Sequence, residues 1–308
     1  MPETFELTPQ GPFDLAYQRQ YFGGWLEFGA DPGAVAMAFP VEGWTHSAAV
    51  VLRQPDARTI IGAVYGPGGE VAQRAWLQAL ATISLDVDGR GFPAVGERDP
   101  IIGRLQTTHH FLRPTLFHSP YEAACNFVIG QRISIAQARS LRLRMAGDSG
   151  DHITAAGVDL HAFPGPGQLL GLDAVRGLSD EKMVRLHGIA RAALDGVLDR
   201  RRLRELPVET ALAELSALRG VGAFSSQGIL FRGAGVVDAV TDEPVSKQAV
   251  QRLYGLDHLP DHADVLRHAE AWKPFRMWAL VLLHVWIRGE GGGPASPRSH
   301  GRQGRSAG

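Results

Sequence analysis

The sequence predicts an α+β fold: a small N-terminal α/β module with an antiparallel sheet, followed by a mostly α-helical core of two helical subdomains. Two observations carry this prediction. Apolar runs broken by Gly, Pro and Asp turns dominate residues 1–100, whereas helical spacing and helix-start signals dominate residues 101–288. The remaining residues, 289–308, are rich in Gly, Ser, Pro and Arg, a composition that predicts a disordered tail.

In the N-terminal module, strands are predicted within residues 25–39 (WLEFGADPGAVAMAF) and 44–54 (WTHSAAVVLRQ). A helix is predicted over residues 70–83, where Ala72, Trp76, Leu80 and Ile83 share one face. The polar, glycine-rich residues 86–100 then indicate a linker or a domain boundary.

The helical half contains clear helix-start signals. Ser119 is a candidate N-cap, Pro120 would take the first helical position, and Glu122 would complete a capping box. Further helices are predicted from Ser179 onwards and over residues 209–220, the latter ending at Gly220. Residues 274–289 are apolar on all sides and therefore predict a buried helix.

Composition excludes several classes of protein. The formal net charge is −1, so an anionic partner requires a local basic patch. The single cysteine, Cys125, rules out a disulfide framework, a four-cysteine zinc site and a cysteine-ligated iron–sulfur cluster, and it fits a reducing cytoplasm. No signal peptide or membrane span is expected. His109 and His110 lack further metal-ligand spacing, so no metal site is predicted.

Residues 218–235 (LRGVGAFSSQGILFRGAG) raise four alternatives: a dinucleotide loop, a phosphate-binding loop of the Walker type, a plain helix–helix turn, or a helix-hairpin-helix. The first two lack their defining residues, because no strand precedes Gly220 and no Gly-Lys-Ser/Thr follows. In the hairpin interpretation, the glycines bring the backbone close to a strand of nucleic acid, and free N–H groups at the next helix bind a phosphate.

Three blocks in order carry a resemblance to a known family: residues 120–138, residues 218–247 and residues 271–286 (AWKPFRMWALVLLHVW). Together they resemble the helix-hairpin-helix DNA glycosylase superfamily, most closely its AlkA-like DNA-3-methyladenine glycosylase II branch, over about residues 10–288. The resemblance implies a monofunctional base excision repair enzyme that flips and excises alkylated, 3-methyladenine-type bases. It also implies double-stranded DNA as partner, a monomer near the nucleoid, and no cofactor beyond a monovalent cation at the hairpin.

The resemblance also implies a catalytic carboxylate four residues before a lysine. Counting back from Lys247 gives Glu243, with Asp242 as the second candidate, and Asp238 as a residue that holds the loop. This sequence departs from the family in having Glu for Asp, then Pro244, and one residue fewer in the preceding loop. The alternative is that no carboxylate acts, and that these acidic residues only favour a helix N-terminus.

Other positions follow from the same match. Phe224 and Trp286 are candidate walls of the base pocket, and Gly228 stands where the family has an aromatic residue. The lyases of the superfamily have a lysine where this chain has Phe224, so no Schiff base is expected. Lys247 is the nearest alternative amine. The candidate DNA-binding residues surround the hairpin and the Gly-Gln turn: Arg219, Gly220, Val221, Gly222, Gln131 and Arg132.

Arg132 follows the Gly-Gln turn, and its expected role is either a wedge in the vacated base position or a phosphate contact. Arg139, Arg142 and Arg144 are candidates for a basic track, and Arg276 for a structural link between the last helices. Two other functions stay open at this point: a non-catalytic protein that binds damaged or distorted DNA, and a glycosylase for a deaminated or oxidised base.

Overall fold

The computed structural model describes residues 1–22 and 33–290. Four strands form one antiparallel sheet in the order β1-β4-β3-β2: β1 Glu3–Leu7, β2 Ala34–Pro40, β3 Ser47–Asp56 and β4 Thr59–Tyr65. Fourteen α-helices are described, and most follow the sheet in sequence, which confirms the predicted α+β class. The first part of the first predicted strand, residues 25–32, lies outside the described residues.

The helices have the following bounds: α1 Leu15–Phe22, α2 Glu70–Thr82, α3 Pro93–Arg98, α4 Pro100–Thr108, α5 Pro120–Gly130, α6 Ile135–Ser149, α7 Pro166–Leu170, α8 Asp180–Leu194, α9 Arg200–Glu205, α10 Val208–Ser216, α11 Ala223–Gly228, α12 Pro244–Tyr254, α13 His262–Ala269 and α14 Arg276–Glu290. Helix α11 continues as a π-helical segment, Ile229–Ala234, and a short 3₁₀ turn, Glu270–Trp272, precedes α14.

Both faces of the sheet are covered. The larger alternate side chains of β2, such as Met37 and Phe39, join the core beneath α2, whereas its alanines face the other way. A hairpin of β5 His152–Ala155 and β6 Val158–His161, absent from the sequence-based prediction, contributes Leu160 to that second face. Small residues on β2 therefore let a hairpin from the helical half pack closely on the sheet.

The predicted start of α5 is confirmed in part. Ser119 caps the helix by accepting a hydrogen bond from the Glu122 N–H at 3.1 Å, and Pro120 takes the first position. The predicted capping box is wrong, because the Glu122 carboxylate lies 3.1 Å from Nδ1 of His118 instead. Burial alone would raise the pKa of Glu122, but His118, Arg142 and Arg200 hold it below its usual range.

Two other boundaries differ from the prediction. The helix expected over residues 209–220 ends at Ser216, and Gly220 lies beyond it in a turn at φ +86°. The stretch expected as a linker or boundary contains α3, and its Phe92 and Val95 are buried in the core of the helical half. The predicted domain limits at residues 100 and 288 stay predictions. Along the chain, Leu85 is the last buried residue of the N-terminal core, and Phe92 is the first buried residue of the helical core.

A fully buried guanidinium joins the N-terminal segment to the helical half. Arg113 donates to the carbonyl oxygens of Gln10 at 2.6 Å, Pro12 and Ser84 at 3.1 Å each, and Val87 at 3.3 Å. Burial lowers the pKa of Arg113 to about 10. Because four carbonyl groups share one cation, its charge is solvated by the backbone in place of water.

Among the described residues, no helix combines the length and apolar composition needed to cross a bilayer. In the same part of the chain, no group of three or more His, Cys, Asp or Glu side chains is arranged to hold a metal ion.

We expect Arg113→Met to lower the free energy of unfolding by on the order of 3 kcal/mol or more, because it leaves several buried carbonyl oxygens without donors. Urea unfolding followed by tryptophan fluorescence measures the change. The control is Arg58→Met at an exposed position of the β3–β4 turn, which should shift stability by less than about 0.5 kcal/mol. Equal effects of the two variants would contradict the structural role of Arg113.

Candidate functional site

A cavity of about 320 Å³ opens between α11 with its π-helical continuation, the start of α12 and one face of α14. Its volume lies at the lower end of the range typical of small-molecule sites, about 300–1,000 Å³. The residues that define its chemistry are aromatic, cationic, acidic or hydroxyl-bearing: Phe127, Phe224, Phe231, Arg232, Thr241, Glu243, His284 and Arg288.

Glu243 lines this cavity, and it is the only carboxylate to do so among the residues that the structure describes. It is the N-cap residue of α12, but its side chain makes no capping hydrogen bond, so the carboxylate is not held by the helix backbone. Asp242, in contrast, is exposed and lies 2.7 Å from the ammonium of Lys247 and 3.8 Å from His262 Nδ1. The two acidic candidates are therefore in different environments, and only Glu243 faces the cavity.

The loop that leads to Glu243 is fixed by an ion pair. Arg276 Nε donates to Asp238 Oδ1 at 2.6 Å, and its Nη2 donates to the Asp238 carbonyl at 3.0 Å. The Met277 N–H also donates to the Val237 carbonyl at 2.9 Å. These contacts confirm that Asp238 holds the loop and that Arg276 has a structural role.

Arg232, His284 and Arg288 line the cavity together with Glu243. His284 lies 2.8 Å from Ser246 Oγ, and enclosure by the protein together with Arg288 and Arg232 lowers its pKa to about 4. It is therefore neutral at physiological pH. The Arg232 side chain remains accessible from the cleft, but the surrounding protein and Arg288 still lower its pKa, while Glu243 opposes the shift.

Aromatic side chains form one wall of the cavity. Phe224 is 69% exposed and meets Phe127 edge to face, with the ring centroids 5.9 Å apart. A Cβ added at Gly228 would lie only 2.0 Å from the Phe127 ring. The family pattern has an aromatic side chain at position 228. Here the Phe127 ring of α5 occupies the space beside Gly228 instead.

A second cavity of about 590 Å³ adjoins the first and shares Phe127, Phe224, Ile135 and Arg232 with it. Ile135 is 90% exposed at this position. Trp286, the second predicted pocket wall, is half-buried against the helical core and does not line either of these cavities. Its predicted role therefore receives no support from the geometry, whereas Phe224 lies in both walls.

The predicted hairpin is present between α10 and α11. The Val221 N–H donates to the Leu218 carbonyl at 2.9 Å, and the Val221 side chain is buried as an anchor. Gly220 adopts φ +86° and lies against the Arg185 side chain, so a Cβ there would be 2.5 Å from Arg185 Cδ. A Cβ at Gly222, in contrast, would meet nothing within 4 Å. Gly222 is therefore exposed without being required by the fold.

The hairpin is connected to the turn after α5. Gln131 Nε2 donates to the Gly220 carbonyl at 2.6 Å, and Arg185 Nη1 donates to Gln131 Oε1 at 2.5 Å. Glu181 accepts from Arg185 and from Arg219, each at 3.0 Å. The hairpin and the Gly-Gln turn therefore hold one another in place through α8.

Two of the hairpin carbonyl oxygens, those of Leu218 and Gly220, already accept protein hydrogen bonds. The monovalent cation implied for this turn would share these oxygens or use their neighbours, and it stays a prediction.

Arg132 follows Gln131 at the surface with φ +58°, a conformation that few non-glycine residues adopt. It lines a surface depression together with Glu181, Lys182 and Arg185. Arg132 is therefore exposed, as either expected role, a wedge or a phosphate contact, requires. The backbone of its turn is held by the neighbouring residues.

The other basic candidates do not form one track. Arg139 and Arg142 line the second cavity, but Arg144 donates to the Arg176 carbonyl at 3.1 Å on another side of α6. His109 and His110 have structural contacts, as expected: Tyr17 Oη lies 2.9 Å from His109 Nδ1, and the Tyr17 and His110 rings are stacked.

The sequence-based prediction missed Phe127, Arg232, His284, Arg288 and Arg185. The helical spacing of the sequence could have indicated two of them. His284 and Arg288 are four residues apart, so they share one face of α14 on which the apolar pattern is interrupted. Phe127 lies four residues before Gln131, but nothing in the local sequence of Gly228 indicates that this ring fills the space beside it.

We expect Gly228→Ala to displace the Phe127 ring, lowering the free energy of unfolding by about 1–3 kcal/mol. Adding Phe127→Ala should remove the clash, so the double variant should lose less stability than the two single changes sum to. A double-mutant cycle in urea measures this coupling. The control is Gly188→Ala on α8, where an added Cβ meets nothing within 4 Å. Additive effects of Gly228→Ala and Phe127→Ala would contradict the contact.

No family model matches the chain. Two curated proteins are similar to it in sequence. The DNA-3-methyladenine glycosylase of Bacillus subtilis (strain 168) is 26% identical over 205 residues, which are 65% of this chain and 67% of the relative. The DNA-3-methyladenine glycosylase 2 of Escherichia coli (strain K12) is 29% identical over 192 residues, 60% and 63% of the respective chains. The chain thus spans about two thirds of these relatives.

The fold is shared over a longer stretch. A 3-methyladenine DNA glycosylase from Archaeoglobus fulgidus superposes with a TM-score of 0.73 at 22% identity, covering 92% of this chain and 98% of that one. The 8-oxoguanine glycosylase/lyase of Clostridium acetobutylicum, solved with double-stranded DNA, gives 0.64 at 16% identity, covering 94% and 98%. The sequence and fold comparisons together confirm the predicted resemblance to the helix-hairpin-helix glycosylases and their AlkA-like branch.

Proposed function

We propose that this chain is a monofunctional DNA glycosylase of base excision repair, which hydrolyses the N-glycosidic bond of alkylated, 3-methyladenine-type bases. The observation that carries the proposal is the position of Glu243, whose carboxylate faces an aromatic-walled cavity next to the hairpin. The curated relatives are named for this activity, and the fold is shared with glycosylases over more than nine tenths of the chain.

In this proposal, double-stranded DNA binds along the hairpin and the turn after α5. The exposed backbone at Gly222 approaches a phosphate, Arg219 and Arg132 add positive charge, and the damaged base rotates into the cavity. Gln131 and Arg185 keep the two turns at a fixed spacing, so that phosphate binding at one determines the position of the other. Monomeric state and association with the nucleoid stay predictions.

Glu243 stabilises positive charge on the deoxyribose as the glycosidic bond breaks, and it accepts a proton from the attacking water. Phe127 and Phe224 hold the base by stacking. The position of the lyase lysine is occupied by Phe224, and the Lys247 ammonium is paired with Asp242. The product is therefore an abasic site in an intact strand.

We expect Glu243→Gln to lower the single-turnover rate of base release by about 10²-fold or more, because it removes the negative charge opposite the developing cation. Duplexes containing 3-methyladenine-type and ethenoadenine lesions, analysed by alkaline cleavage, measure the rate. Without alkali the strand should stay intact, and borohydride should trap no covalent adduct.

The matched control is Asp242→Asn, whose carboxylate is paired outside the cavity and whose loss should lower the rate by less than about threefold. A larger loss for Asp242→Asn than for Glu243→Gln would reverse the assignment. A wild-type protein that binds the damaged duplexes but releases no base from any of them would instead support a non-catalytic damage-binding protein.

We expect Gly222→Ala to weaken duplex binding by about tenfold while leaving the thermal midpoint unchanged, because the new methyl group has room in the protein but obstructs the approach of a phosphate. Fluorescence anisotropy with a duplex containing an abasic analogue measures the affinity. The control is Gly167→Ala on α7, where an added Cβ also meets nothing within 4 Å. Gly157 has an equally open position, but its φ of +78° makes Gly157→Ala unsuitable as a control. Unchanged affinity would contradict phosphate contact at Gly222.

A further inference from the structure

The turn that follows α5 separates two surface depressions of different character. Gln131 and Ile133 line both of them, so the turn forms their common border. On one side is a depression of about 360 Å³ that Arg132 lines. On the other side is the second cavity, of about 590 Å³, which adjoins the cavity beside Glu243. In the proposed reaction, the damaged base enters on this second side.

The depression on the first side is basic. Of the described residues that line it, Arg132, Lys182 and Arg185 are cationic, and Glu181 alone is acidic. Arg185 Nε donates to Glu181 Oε1 at 3.0 Å, and the Lys182 ammonium donates to a carbonyl oxygen at 2.7 Å. Arg132 is exposed beside them. Excess positive charge and an exposed guanidinium are what a DNA phosphate requires.

The cavities on the second side expose two large apolar side chains. Ile135 is 90% exposed and Phe224 is 69% exposed, and both line both cavities. Arg132 lines neither of these cavities. An apolar side chain that is exposed to this degree is stabilised when another apolar surface covers it. The face of a nucleobase is such a surface.

Ile135 projects in a fixed direction because it is the first residue of α6. Ser134 caps this helix: its Oγ accepts from the Gln137 N–H at 3.2 Å, and Gln137 Oε1 accepts from the Ser134 N–H at 2.9 Å. A β-branched side chain on a helix has one strongly preferred χ1 rotamer, so little side-chain freedom is lost when it is enclosed. Ile135 is therefore a stiff apolar projection at the entrance to the cavities.

Rotation of a base out of the duplex leaves a gap in the stack, and an inserted apolar side chain replaces part of the lost contact. The structure assigns this gap-filling role to Ile135 and the phosphate contact to Arg132, on the two sides of one turn. The inference rests on the proposed glycosylase function. It adds a residue that stabilises the flipped state of the DNA without touching the reacting atoms.

The test uses a duplex in which 3-deaza-3-methyladenine, a stable analogue of an alkylated base, lies next to 2-aminopurine. The fluorescence of 2-aminopurine rises when its stacking neighbour leaves the duplex. We expect Ile135→Ala to lower this gain at saturating protein by at least about threefold, because the unfilled gap lets the base return to the stack. Ile135→Leu, which keeps an apolar side chain of the same size, should retain most of the gain.

Arg132→Ala should leave the gain at saturation unchanged. It should instead weaken binding and lower the slope of log K against log salt concentration by about one. The matched control is Leu143→Ala on the same helix, at a position that is 52% exposed and lines neither the depression nor the two cavities. It should change neither quantity. Circular dichroism should give the same thermal midpoint for all three alanine variants, because each replaced side chain is exposed.

A lost gain in Arg132→Ala with an intact gain in Ile135→Ala would reverse the assignment, and an unchanged gain in both would overturn it. Both outcomes leave the glycosylase function standing. A wild-type protein that flips the analogue but releases no alkylated base would remove the proposed catalysis and leave the role of Ile135 in place. A wild-type protein that gives no gain on a duplex it binds, or binds no duplex, would overturn the inference.

Discussion

The buried guanidinium of Arg113 attaches one wall of the candidate cavity beside Glu243 to the rest of the protein. Residues 114–116, which follow it directly, line the same cavity as Glu243. The same guanidinium lies 4.9 Å from the ring of Trp278 on α14, the helix that presents His284 and Arg288. The guanidinium donates to four carbonyl oxygens and lies over an aromatic ring, so a shift of these neighbours would leave buried polar atoms unpaired. The cavity is therefore positioned by a contact outside it.

The Phe127 ring lies directly beside Gly228, so an aromatic side chain borders the cavity although residue 228 itself is a glycine. In the proposed function, an aromatic wall is useful because every base has a face that stacks. Here the ring comes from α5, and the glycine on the π-helical side makes room for it. Since α5 also ends at the Gly-Gln turn, one helix presents both the aromatic wall and the turn that contacts the hairpin.

Periodicity and helix-start signals predicted the sheet and the cap at Ser119, and the glycine pattern with the family resemblance predicted the hairpin, because each depends on residues close together in sequence. The β5–β6 hairpin was missed because its strands are only four residues long. Glu122 was assigned to a capping box on spacing alone, but the buried His118 competes for the carboxylate. The cationic residues of the cavity could not be predicted as a group, because they meet only when the π-helical segment and α14 pack together.

The difference between Glu243 and Asp242 follows from where α12 begins. Pro244 at the first helical position fixes the backbone of Glu243 in an extended conformation before the helix. Successive residues of an extended segment point to opposite sides, so Glu243 faces the cavity while Asp242 faces Lys247 and His262. Pro244, itself a departure from the family pattern, thus separates the two carboxylates. In the proposed reaction, the longer glutamate side chain compensates for a preceding loop that is one residue shorter than in the family pattern.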